Sequence, residues 1–114
     1  RMAAIRADIA VVEIGASPMA PYNGSMAIEA LQPNLKYAVM SASDPYAVYG
    51  LIKAYGMTPD LVTGVASNTL AGIALVKQLC GIQAINFLNP ENGTMLRELI
   101  GQATGMDLKI PSVY

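Results

Sequence analysis

Leu61-Val-Thr-Gly-Val-Ala66, then Ser67-Asn-Thr69, then Leu70-Ala-Gly-Ile-Ala-Leu-Val-Lys-Gln-Leu-Cys80 and Gly81, is the stretch that decides the fold class. Its first part is apolar and rich in β-branched residues, the composition of a strand covered on both faces. Ser67, Asn68 and Thr69 are helix-capping types, and any of them can accept a hydrogen bond from the first free N–H groups of a helix. The run from Leu70 to Cys80 is apolar on nearly all sides apart from Lys77 and Gln78, which predicts a deeply buried helix. Gly81 supplies the left-handed residue that ends it. A covered strand passing through a short capped loop into a buried helix is the repeating unit of an α/β sheet.

The same unit recurs on both sides. Upstream, Lys36-Tyr-Ala-Val-Met-Ser41 reads as a strand, and Ser43-Asp44-Pro45 as a cap followed by proline at the first helical position. Val48, Leu51, Ile52 and Tyr55 then fall on one helical face, with Gly56 as the stop. Further upstream, Asp8-Ile-Ala-Val-Val-Glu13 predicts the first strand. It is followed by a turn-rich loop over residues 15–24 and a short helix from Ser25 to Leu31, which must stop before Pro33. Downstream, Ile82-Gln-Ala-Ile-Asn-Phe-Leu88 predicts the fourth strand. Asn89-Pro90 opens a turn into a last helix, with Leu96, Leu99, Ile100 and Ala103 as its buried stripe. The expected fold is thus a single Rossmann-like α/β domain over residues 1–114, with a mostly parallel four-stranded sheet, helices on its faces and three layers.

Right-handed crossovers bring all four strand-to-helix loops to one edge of such a sheet, where open α/β sheets bind ligands. The polar residues of interest collect there: Glu13, Ser17, Ser41, Ser43, Asp44, Ser67, Asn68, Thr69, Asn86 and Asn89. Capping explains Asp44 and Thr69 as well as ligand binding does. It explains Glu13 less well, because a carboxylate ending an apolar strand beside Gly15 is costly to bury without a partner. Tyr46 and Tyr49, near the second loop, are candidates to stack on a flat ligand or, alternatively, to pack within their helix.

Composition narrows the function classes. Of 114 residues, 54% are hydrophobic and 13% charged, against an average charged share of about 25%. So little polar surface predicts a homo-oligomer, or a piece of a larger protein lacking its amino-terminal half. The net charge is −1 without a Lys/Arg cluster, which argues against nucleic acid as partner. No apolar run reaches the roughly 18 residues of a membrane span. No signal-peptide pattern precedes residue 7, so a cytoplasmic setting is expected. There is no His and one Cys, which removes Ser-His and Cys-His mechanisms and most zinc sites. Cys80 lies inside a helical pattern and reads as a small core residue.

Asp8-Ile-Ala-Val-Val-Glu13-Ile-Gly-Ala-Ser17 resembles the acidic second motif of the P-loop enzymes around dethiobiotin synthetase, an apolar strand ending in Glu before a small-residue loop. Pro59-Asp-Leu-Val-Thr-Gly-Val-Ala-Ser-Asn68 is similar to that family's later strand. The resemblance implies that Glu13 is a metal (Mg²⁺) or substrate carboxylate and that Asn68 contacts a nucleotide base. The chain departs from the family in having neither G-x-x-x-x-G-K-[ST] nor G-x-G-x-x-G, hence no phosphate cradle. ATP and Mg²⁺ are then expected only if a P-loop half joins this one.

Two functions follow as expectations. One is a ligand- or nucleotide-binding domain, the acidic-motif half of a nucleotide-dependent enzyme or a degenerate relative, with Glu13, Ser17, Ser43, Asp44, Asn68 and Thr69 at the site. The alternative is an assembly domain that acts through oligomerisation. The strand Ile9–Ile14, without Lys or Pro to guard it, is the expected pairing edge. An enzyme acting alone, with Glu13 and Asp44 as an acid–base pair, is the weakest reading.

Overall fold

The computed structural model describes residues 8–15, 17–18 and 21–107. The chain divides into two compact units, Arg1–Asn34 and Leu35–Tyr114.

In the first unit, residues 9–15 take up no regular secondary structure and are exposed throughout, Val11 at 95%. The expected strand Asp8–Glu13 is therefore not formed. Apolar, β-branched composition favours extended backbone, but a strand exists only where a neighbour takes its N–H and C=O groups. Among the described residues none does so for this segment. Helix α1 spans Gly24–Leu31 as the sequence suggests, and Gln32–Asn34 tighten into a 3-10 turn around Pro33. Its start depends on two unusual residues. Asn23 sits at φ 63°, a left-handed conformation that Asn tolerates. A Cβ on Gly24 would come within 2.9 Å of the Pro18 Cα, so only glycine lets the preceding turn approach.

The second unit is built on a parallel sheet of three strands in the order β1 (Val39–Ser41), β2 (Leu61–Thr63), β3 (Gln83–Ala84). Val39 pairs with Leu61 and Ser41 with Thr63, and on the other side Val62 pairs with Ala84. Helix α2 (Pro45–Tyr55) joins β1 to β2, and α3 (Leu70–Cys80) joins β2 to β3. Two successive right-handed crossovers in one direction place both helices on the same face. There Val48 and Val76 bury completely against Val62, with Ala42, Ala66, Ile82 and Ala84 around them. Helix α4 (Asn92–Thr104) follows β3 and contributes no fully buried residue. The Gln83 amide donates to Met95 Sδ at 3.7 Å, from the side of β3 opposite Ala84.

The sheet is mixed with helices as expected, but it has three strands among the described residues, and these are shorter than their apolar runs. Gly64, at φ 85° and ψ −161°, ends β2, and the next three residues, Val65–Ser67, coil into a 3-10 turn. After β3, the Asn86 side chain accepts the Leu88 N–H at 3.0 Å, an Asx turn that competes with the ladder. Helix α3 is less enclosed than its composition predicts, since Val76 alone is fully buried and Leu70 is 86% exposed. A three-stranded sheet covers one side of a helix, not all of it. In α4, Leu96, Leu99 and Ile100 are half-buried and Ala103 is exposed.

Candidate functional site at the carboxyl edge of the sheet

Because β1, β2 and β3 are parallel, the loops that follow them emerge at one edge. They are stitched to one another. The Ala42 N–H donates to Thr63 O at 3.0 Å, and the Ala66 N–H donates back to Ala42 O at 3.0 Å. This back-and-forth brings the backbone of residue 64 so near the first loop that a Cβ there would meet Ser41 Oγ at 2.7 Å and Ala42 O at 2.8 Å. On the other side, the buried Ser67 hydroxyl donates to Ile85 O at 2.7 Å, with Gly64 O at 3.0 Å sharing the proton. The Asn92 amide donates to Asn86 O at 2.8 Å and so pins the start of α4 to the third loop.

Most of the candidate polar residues at this edge are committed to local structure. Asp44 caps α2, its Oδ1 accepting the Ala47 N–H at 3.0 Å, while Ser43 Oγ donates to Oδ2 at 3.3 Å. Among Ser67, Asn68 and Thr69, it is Thr69 that caps α3, by accepting the Gly72 N–H at 3.0 Å. Asn89 Oδ1 accepts the Glu91 N–H at 3.2 Å. Asn68 is different. Its backbone closes the 3-10 turn by donating to Val65 O, but its exposed side-chain amide has no hydrogen-bond partner among the described residues.

Ser43, Asp44, Asn68 and Thr69 thus share this edge, whereas Glu13 and Ser17 belong to the first unit, both exposed. Among the described residues no group of three or more Cys, Asp or Glu side chains is placed to hold a metal ion. Glu13 therefore has no ready-made set of co-ligands there.

The edge also carries an apolar rim, in which Val65, Leu70 and Leu88 join Tyr46, a residue already expected there as a stacking candidate. Val65 is 68% exposed, Leu70 86% and Leu88 76%, with Tyr46 exposed at the start of α2. The signal was present, because Leu70 and Tyr46 stand in the first turns of their helices, where side chains lean back past the N-terminus. Tyr49 is engaged elsewhere, with Lys53 Nζ 5.3 Å above its ring centroid.

The charges are arranged the other way round. Lys36 precedes β1, while Lys53 and Lys77 lie in the last turns of α2 and α3, all toward the amino edge of the sheet. No Lys or Arg occurs in the three loops at the carboxyl edge. At the amino edge Asp60 ties two strands together, its Oδ2 accepting the Ala38 N–H at 2.7 Å. Burial raises the pKa of the Tyr37 hydroxyl, and the Asp60 charge raises it further. Burial likewise pushes the Cys80 thiol up, which suits an inert packing residue.

No family model matches this chain. Neither a curated protein nor a solved structure matches it either. The likeness to the dethiobiotin synthetase group is carried by the quoted motifs alone.

Proposed function

We propose that the carboxyl edge of the second unit binds a small molecule with a flat, uncharged portion, as in a nucleoside. The observation that carries this reading is Asn68: its amide is free while Asp44, Thr69, Asn86 and Asn89 around it are consumed by caps and turns. The exposed Tyr46, Val65, Leu70 and Leu88 supply apolar contact for a ring system. An amide offers both a donor and an acceptor, the pattern that reads the edge of a base. With no cation in these loops, and with Asp44 and Thr69 already capping the N-termini of α2 and α3, this edge offers little to hold phosphate groups. In the family reading this is the acidic-motif half of a nucleotide-dependent enzyme, with Glu13 directed to Mg²⁺ or substrate.

A thermal-shift panel tests the reading. Adenosine and guanosine are expected to raise the melting temperature as ligand concentration passes Kd, and ATP with Mg²⁺ to do no better. Asn68→Ala should abolish the shift without lowering the melting temperature of the free protein. Equal shifts in the wild type and the variant would remove Asn68 from the site.

A second reading, an assembly domain, is favoured by the exposure of the apolar segment from Ile9 to Ile14. It involves a different part of the chain and stands or falls separately.

A further inference from the structure

We infer that the outer edge of β1 accepts a parallel strand, Asp8 to Ile14, from a second copy of this chain. The inference rests on the assembly reading and gives it a surface, a register and a consequence.

Within the second unit, the acceptor edge is open among the described residues. In the parallel ladder Leu61 donates to Ala38 O and Ala42 donates to Thr63 O, so residues 38, 40 and 42 turn their backbone groups toward β2. Alternation then directs the N–H and C=O groups of Val39 and Ser41 away from the sheet. They have no partner among the described residues. Val39 is 45% exposed, and Val39-Met40-Ser41 contains no Lys, Pro or charge of the sort that guards an edge. The far edge, at β3, is a poorer acceptor. It is two residues long and closes into the Asn86 turn.

The donor segment is equally unprotected. It is largely apolar, rich in β-branched residues and exposed, and it is unpaired among the described residues. One register suits it. Ala10, Val12 and Ile14 would lie beside Ala38, Met40 and Ala42, extending the layer that faces α2 and α3. Ile9, Val11 and Glu13 would lie beside Tyr37, Val39 and Ser41. Asp8 would then stand next to Lys36, an opposite-charge pair at the start of both strands. A slip of one residue would turn Glu13 into the apolar layer, at the cost of burying an unpaired carboxylate. In the favoured register, Glu13 of the second copy arrives beside Ser41, at the carboxyl edge where Asn68 stands. Reciprocal exchange makes a closed two-fold dimer.

Cross-linking tests this geometry without any ligand. Val11→Cys and Val39→Cys are made separately in a Cys80→Ser background, given tags of different length, mixed and oxidised. Neighbouring strands bring the two Cα atoms within disulfide range, about 4.4–6.8 Å. The expected product is a linked pair containing one chain of each tag. In light scattering, Val11→Lys and Val39→Pro should each lower the mass from that of two chains to one, with the far-ultraviolet circular dichroism retained. Proline at 39 removes only an N–H that points away from β2. A wild-type monomer at high micromolar concentration overturns both this geometry and the assembly reading. A dimer that gives no mixed link overturns the geometry alone. So does a Val11→Cys/Val39→Cys double variant that closes only within one chain, which would show the segment pairing with its own β1.

Discussion

Ser67 Oγ lies 2.7 Å from the carbonyl oxygen of Ile85, and this bond joins the loop after β2 to the end of β3. Among the described residues, Ser67 is the only polar one whose side chain is fully buried. Beyond the two-residue β3 it does the work that further ladder bonds would do in a longer strand. Ser67→Ala should leave carbonyl groups short of a donor and cost about 1–3 kcal/mol, measured by urea unfolding. A variant as stable as wild type would show that water replaces the hydroxyl.

The glycines separate into two kinds, and alanine scanning should tell them apart. Gly64 has φ 85°, and a Cβ there would strike Ser41 Oγ and Ala42 O. Gly64→Ala is expected to destabilise by roughly 2 kcal/mol or more from strain and overlap together. Gly72 is held just as closely, by the Ala66 carbonyl. Gly50, in the middle of α2 with nothing within 4 Å, should behave oppositely. Gly50→Ala is expected to stabilise by about 0.5–1 kcal/mol. Thermal melts of the three variants check the ordering.

At the carboxyl edge, stability and binding should part company. Asp44→Ala and Thr69→Ala each remove a helix cap and should cost about 1 kcal/mol. Asn68→Ala should cost nothing measurable in stability and should show its effect only on a ligand. Chemical denaturation of all three, with and without nucleoside, separates these outcomes. A cost for Asn68→Ala equal to that of the caps would make Asn68 structural.

The Tyr37 hydroxyl has its pKa raised in the folded chain by burial and by Asp60. Its proton therefore favours the folded state. Relative stability is fully present below the unfolded value of about 10 and is lost as pH rises through the higher folded value. Tyr37→Phe has no such proton to lose. Its stability is expected to fall less steeply than that of the wild type as pH rises above about 10, measured by denaturant unfolding at each pH.

Local chemistry was legible wherever one residue type decides a conformation. Asp44-Pro45 and Gly56 bound α2, and Thr69 and Gly81 bound α3, where the residues themselves place them. The alternation of strand and helix also carried the parallel sheet, because apolar runs of that length need covering layers. The candidate site was legible in part: parallel loops bring Ser43, Asp44, Asn68 and Thr69 to one edge. Which of these remain free was not, since Asp44 and Thr69 reveal their partners only once the helices are in place.

What sequence alone determined, then, is the set of caps and stops, the α/β class and the edge at which the polar residues gather. Each follows from backbone preferences that act within a few residues. Tertiary structure decided how long the strands are, that Ser67 enters the core while Asn68 faces out, and that the run from Ile9 to Ile14 has no ladder partner among the described residues. A strand is a relation between two backbones. The composition of one segment can make it ready to pair, but only a neighbour presenting free N–H and C=O groups in register makes it a strand.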